Sequence, residues 1–197
     1  MRLALGAVLV AALLDCKTWR KSHGDAGAPV RDASVADAAI DATDASGAGP
    51  SYASPTGGFR VRFPDNKSPE VEEKTIASGG SAIHLFKVQY GSGAYIVTYD
   101  DFAKEAGRSA SDVLDGAKNG ILESTGGTLE SEAPLTLAGR HPGIDLTLSA
   151  TTSGIKMRQR LRAWFVDGRH YQALVVTPDW SGATAVEQDF LDSFALL

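Results

Sequence analysis

The stretch GIKMRQRLRAWFVDGRHYQALVVT, residues 154–177, reads as two strands and the turn that joins them. Asp167-Gly168 sits between them. An Asp-Gly pair tolerates the positive φ that a two-residue hairpin turn demands. Before the turn, Lys156, Arg158, Arg160 and Arg162 alternate along one strand and share a face, with Trp164 next on that face. After the turn, HYQALVVT (170–177) is apolar on both faces. That pattern predicts a central strand covered on both sides.

Further strands lie on either side of this hairpin. FRVRF (59–63) alternates Phe59, Val61 and Phe63 against Arg60 and Arg62, the signature of a half-buried strand, and Pro64 stops it. VEEKTIA (71–77), SAIHLFKVQY (81–90) and AYIVTYD (94–100) follow, with Gly91-Ser92-Gly93 as the loop between the last two. TLESEAPLTLA (128–138) and HPGIDLTLSAT (141–151) precede the opening hairpin.

Two segments change period. In residues 109–125, Val113, Ala117 and Ile121 recur at helical spacing, together with Leu114 and Leu122. Ser109 is placed to cap the start, and Gly126-Gly127 to end it. Residues 181–197 read as a second helix with Val186, Phe190 and Phe194 in one stripe and Ser181 as its cap. The order is strands, helix, strands, helix, joined by hairpins rather than crossovers. The expected fold class is α+β: a mostly antiparallel sheet flanked by helices.

The N-terminal part has a different composition. Arg2 precedes an apolar run, residues 3–14, too short to span a bilayer and suited to an export signal. Leu13-Leu14-Asp15-Cys16 resembles the lipobox of bacterial lipoproteins, in which the cysteine is lipidated and becomes the mature N-terminus. Asp15 departs from that pattern, which has a small residue before the cysteine. The alternative is an ordinary signal peptide followed by a chance cysteine. Acyl chains on Cys16 would anchor the chain, each buried methylene contributing ~0.8 kcal/mol. Lys17, lacking the Asp that marks inner-membrane retention in some bacteria, points to the outer membrane, with the domain facing the periplasm or the surface. Lys17, Arg20 and Lys21 would then meet anionic head groups; otherwise they are a solvated charge run. Residues 17–57, dominated from residue 22 by Ala, Asp, Ser and Gly, are expected to be a disordered linker. Such a linker reaches roughly 30–40 Å. The folded domain is expected over 58–197.

The domain resembles the PsbP-like fold, an α/β/α sandwich. The matching stretches are GGFRVRFP (57–64), AYIVTYDD (94–101) and a helix leading into a Gly-Gly turn. They continue with LAGRHPGIDL (137–146), RHYQALVV (169–176) and FLDSFAL (190–196). That fold is shared by photosystem II extrinsic proteins, a Ran-binding nuclear import factor and bacterial lipoproteins. Its members are mainly partner-binding or assembly factors, so the resemblance implies binding rather than catalysis. No metal or partner residue of the photosynthetic members has a match here, and none is carried over.

Chemistry-bearing motifs are few. His23, His84, His141 and His170 form no paired ligand spacing, and one cysteine makes neither CxxC nor an internal disulfide. Asp100 and Asp101 are adjacent on a strand and so point to opposite faces, which prevents joint chelation. No GxSxG and no phosphate-cradling loop is present. No cofactor, metal or catalytic residue is expected. The net charge of −5 argues against nucleic acid as a partner. The pattern that stands out is the basic strand. Lys156, Arg158, Arg160, Arg162 and Trp164 contact an anionic ligand, lipid head group or acidic partner, or the cations pair with Glu130 and Glu132 across the sheet. The expected function is an exported, lipid-anchored binding or assembly module of the cell envelope with an envelope protein as partner. The rival is an enzyme acting on an envelope substrate, its site assembled from distant residues.

Overall fold

The computed structural model describes residues 40–41, 51–75, 82–101, 107–179 and 184–197, with backbone alone at 40–41 and 73–75. The signal, Cys16 and most of the Ala/Asp/Ser-rich stretch lie outside the described residues.

The hairpin of the opening stretch forms as read. β9 (Ile155–Val166) and β10 (Arg169–Pro178) pair antiparallel, Arg169 opposite Val166. Both turn residues have positive φ, 49° at Asp167 and 92° at Gly168, the geometry that selects Asp-Gly. Around this hairpin stand β4 (Glu70–Thr75), β5 (Ala82–Tyr90), β6 (Gly93–Asp100), β7 (Thr128–Leu137) and β8 (His141–Thr152). Their order across the sheet is β4-β5-β6-β10-β9-β8-β7, so β10 is the central strand, and each neighbouring pair is antiparallel. Almost every residue of β10 is buried, as its apolar faces predicted.

One face of this sheet is covered by α1 (Ala110–Thr125). Ser109 caps it by accepting from the Asp112 amide, and Gly126 ends it in the left-handed region, as the sequence indicated. Its buried residues, Leu114, Ala117 and Ile121 among them, meet Ala163, Leu146, Leu148, Leu161 and Leu174. Gly116 and Gly120 each weaken an isolated helix by up to about 1 kcal/mol relative to Ala, so sheet packing holds this helix.

The other face carries an aromatic core. α2 (Ala185–Asp192) lies there beside a second, four-stranded sheet of order β1-β2-β3-β11. Its strands are β1 (Ile40–Asp41), β2 (Ser51–Ser54), β3 (Phe59–Val61) and β11 (Ala195–Leu196). Phe59, Phe63, Phe86, Tyr95, Tyr99, Trp164, Tyr171, Phe190 and Phe194 pack between these layers. The fold is therefore α+β, a mostly antiparallel sheet with helices on its two faces.

Two expected boundaries move. The linker does not continue to residue 57, because β2 pairs with β3 and buries Ala53 and Ser54. Tyr52 turns inward against Phe59, Phe63 and Phe86. The sequence hid this strand because it is four residues long and follows an unpatterned stretch. The last helix starts with Thr184 as its cap and ends at Asp192, rather than running to residue 197; Ser181 lies outside the described residues. The Ser193 hydroxyl donates to the Phe190 carbonyl and accepts from the Arg62 amide, and the chain then pairs with β3, Leu196 opposite Phe59. Phe194 thus leaves the helix and still reaches the core.

Candidate functional site

The basic strand β9 lies under α2. Its cations meet carboxylates and an amide that the helix and its flanks supply, spaced to match. Lys156 Nζ lies 2.9 Å from Asp179, which holds the ammonium above its ordinary value. Arg158 donates twice to Glu187, at 2.8 and 3.0 Å. Thr177 donates to the same carboxylate at 3.2 Å. Arg160 donates to Gln188 Oε1 at 2.9 Å. Arg162 donates to Asp145 on β8 at 2.8 Å and to Asp192 at 2.6 Å.

The spacing follows from two periods. Strand residues on one face recur every two positions, about 6.6 Å, and a helical residue three to five positions on advances a similar distance. The step from Gln188 to Asp192 therefore matches the step from Arg160 to Arg162, while Glu187, one residue before Gln188, meets Arg158. Glu187 is wholly buried, at 0% exposure. A buried charge is tolerated only when its partners are complete. Its charge adds to burial in pushing the Tyr95 hydroxyl above its ordinary value. Burial would raise Asp192, but hydrogen bonds from Gln188 and Arg162 outweigh it and hold the carboxyl below its usual range. For Arg162, burial opposes and the bonds to Asp145 and Asp192 prevail, so its value rises.

Trp164, expected beside the cations as a contact residue, is 2% exposed. Its ring stacks on Phe194, centroids 4.6 Å apart and 10° from parallel. Gly143 stands opposite it on β8, where a Cβ would come within 2.5 Å of the indole. A side chain there would displace the ring.

The expected pairing with Glu130 and Glu132 is corrected. β8 separates β7 from β9. The register shift between Leu129 and Ser131 sets Glu132 opposite Leu146, a residue of the core under α1. Glu132 accordingly accepts from Lys118 of α1 at 3.0 Å. Glu130 retains only a charge influence on Lys156. A bulge has no reliable signature in a single strand, and the reading of residues 181–197 rests on the apolar stripe Val186, Phe190 and Phe194 and takes no account of Glu187 or Asp192.

A second polar cluster closes the far ends of β6 and β10. Asp100 and Asp101 diverge, as strand alternation required. Asp100 Oδ2 lies 3.1 Å from His170 Nδ1, both residues buried, and Gln172 Nε2 lies 3.3 Å from His170 Nε2. Both ring nitrogens are thereby engaged. Asp101 takes two bonds from Arg169, at 2.8 and 2.9 Å, which raise the guanidinium above its ordinary value. Arg169 also covers the Tyr99 ring at 4.7 Å and donates to the carbonyls of Thr56 and Gly57. The Tyr171 hydroxyl donates to Gly57 as well, at 2.7 Å. This cluster fastens the turn between β2 and β3 to the large sheet. His84 stacks on the other part of the Tyr99 environment, 4.4 Å from that ring, and the Nε2 of His141 accepts from Arg140. Among the described residues no three His, Cys, Asp or Glu side chains are grouped to hold a metal. His23 and Cys16 lie outside the described residues.

The fold is PsbP-like. The chain is similar to the solution structure of cyanobacterial PsbP (CyanoP) from Synechocystis sp. PCC 6803, with a TM-score of 0.51 and 10% identity over 85% of this chain and 98% of that one. At that identity the likeness concerns the fold alone. A Pseudomonas aeruginosa protein of unknown function, PA94, described as a putative regulator, gives a TM-score of 0.41 at 12% identity over 55% of this chain and 83% of its own. A Bacteroides thetaiotaomicron VPI-5482 protein gives 0.42 at 12% identity, over 73% of this chain and 47% of its own. No protein-family model matches the chain. No curated protein matches it in sequence.

Proposed function

We propose that the chain is an exported binding or assembly module of the cell envelope, held at the outer membrane by lipid on Cys16. The observation that carries this reading is the order of its parts. An export-like apolar run ends in Leu13-Leu14-Asp15-Cys16, an Ala/Asp/Ser-rich stretch follows, and a folded domain comes last. A domain on a leash suits reaching a partner at a distance from its anchor. The PsbP-like fold supports the reading through its extrinsic relative, cyanobacterial PsbP, by likeness of fold only.

The partner surface is not the basic strand. Detaching α2 would expose Phe190, Leu191 and the following Phe194, each contributing about 1.5–3 kcal/mol of burial. An acidic ligand would have to offset that cost before meeting Arg158 or Arg162.

Intact-mass analysis and cell fractionation test the anchor. Added acyl mass on Cys16 is expected, with release from membranes by Cys16→Ser; an unmodified wild-type mass overturns it. Crosslinking in envelopes from cells carrying the full chain tests the module. A discrete partner adduct is expected, and turnover of an envelope substrate by the purified chain would favour the rival enzyme instead.

A further inference from the structure

Arg60 and Arg62 form a second basic stripe, on β3 and the residue after it. Phe59 and Val61 face the aromatic core, so these arginines face away from it. Arg60 is exposed and Arg62 half-buried, and neither makes an ion pair with any described residue. Alanines flank Arg60 on both sides, Ala53 on β2 and Ala195 on β11. Leu197, whose amide donates to the Gly58 carbonyl, continues the pairing of β11 and is 63% exposed. It lies two residues beyond Ala195 and so on the same outer side as Arg60. The Arg62 amide donates to the Ser193 hydroxyl at 2.8 Å, which ties the stripe to the end of α2.

The opposite outer layer carries the opposite charge. α1 covers the other face of the large sheet. Asp112, Asp115 and Glu123 stand exposed on it, and Glu130 and Glu132 are exposed on β7. Lys118 pairs with Asp115 and Glu132. An anionic surface therefore attracts the small-sheet side and repels the α1 side. That orients the domain even though the chain has a net charge of −5. The leash favours the same orientation. β2 begins at Ser51, and because Tyr52 pairs with Val61, Ser51 falls in line with Arg62. Residues 17–50 thus lead from Cys16 to the sheet that carries the arginines. Turning this sheet toward an anchoring membrane takes the least leash.

We propose that the Arg60/Arg62 face docks on the phosphate head groups of an anionic membrane, the one that holds the anchor. The choice of surface rests on the reading that Cys16 is lipidated. Guanidinium groups on a paired strand suit phosphate oxygens, which accept charge-assisted hydrogen bonds. Two cations are a weak attachment for a free domain. An anchored domain already stays at a high effective concentration over its membrane, so the same two cations are enough to select the face that lies down. The acidic side of α1 is then turned away from the membrane.

Vesicle binding of the purified full-length chain carrying Cys16→Ser tests the face without help from an acyl chain. The vesicles are phosphatidylcholine alone, or equal parts of phosphatidylcholine and phosphatidylglycerol. At low salt the chain should prefer the anionic vesicles. Adding Arg60→Gln/Arg62→Gln should weaken that binding about five- to twenty-five-fold, from about fivefold for each cation near an anionic surface. Lys17, Arg20 and Lys21 are the same in both chains, so the difference reads β3. Arg60→Lys/Arg62→Lys should keep most of the binding, since a head-group layer reads charge rather than fork geometry. Salt should erase the difference. Cys16→Ser also leaves the chain without a thiol, so a polarity-sensitive fluorophore is placed singly by Leu197→Cys on the arginine side or by Asn119→Cys on the exposed side of α1. The label at 197 should respond to anionic vesicles and the label at 119 should not. Equal binding with arginine and glutamine, or equal response of the two labels, overturns the proposal. Loss of binding with lysine points to a discrete acidic protein read by guanidinium forks and overturns it as well. An unmodified Cys16 in the mass analysis overturns the anchor and leaves these vesicle results to stand on their own.

Discussion

The two basic stripes of this protein, on β9 and on β3, are built alike and end differently. In each, cations alternate along one face of a strand. On β9 that face is overlaid by α2, and Arg158, Arg160 and Arg162 find Glu187, Gln188, Asp145 and Asp192 within hydrogen-bond distance. On β3 the cations face away from the core, and no described carboxylate lies within ion-pair range. The difference teaches that a stripe of like charge has no fixed meaning. Covered by a helix of matching period it is an internal clasp; left on the outer face of a thin sheet it is a surface looking for an anion.

The largest test of this contrast breaks the clasp at its apolar anchor. Phe194→Ala removes a ring that stacks on both Trp164 and Phe59. A loss of about 3–5 kcal/mol is expected in chemical denaturation, the range for large-to-small changes in a packed core. A loss under about 1 kcal/mol would mean that α2 is loosely held and the β9 stripe accessible after all.

Glu187→Gln comes next. It preserves shape but leaves Arg158 without its buried counter-charge, which should cost about 3 kcal/mol. Arg160→Gln should cost far less, about 0.5–1.5 kcal/mol, because the bond it loses is to neutral Gln188. Equal losses for these two would show that burial of the carboxylate does not govern the clasp.

Acid should loosen the same contact. The folded value of Asp192 lies below its ordinary 3.8, so its contribution is fully present above 3.8 and is lost as the pH falls through the lowered folded value. The urea midpoint should therefore drop below that pH, and Asp192→Asn should remove this part of the drop. The smallest effect belongs to β3: Arg60→Gln should leave the unfolding free energy within about 0.5 kcal/mol of wild type, as for a surface change.

Much of the architecture was legible because it is written in short windows. The Asp167-Gly168 turn, the doubly apolar β10, the Ser109 cap and the Gly126 stop each need only a few adjacent residues, and local sterics enforce them. The unpatterned approach to β2 and the shift within β7 were not legible, since a four-residue strand and a bulge leave no period to detect. Nor was the end of α2, where Ser193 turns the chain through bonds to Phe190 and to Arg62, a residue distant in sequence.

What the amino-acid sequence by itself determined is the kind and order of the elements, an α+β chain with a central strand and two alternating cationic stripes. Only the tertiary structure decided which stripe is satisfied. Arg158 and Glu187 are 29 residues apart, and their meeting depends on α2 docking where β9 lies beneath it. Packing of Phe190, Leu191 and Phe194 sets that position, and the ion pairs then follow from matching strand and helix spacing. A carboxylate pairs with whichever guanidinium the core brings near, so its partner cannot be read from charge pattern alone.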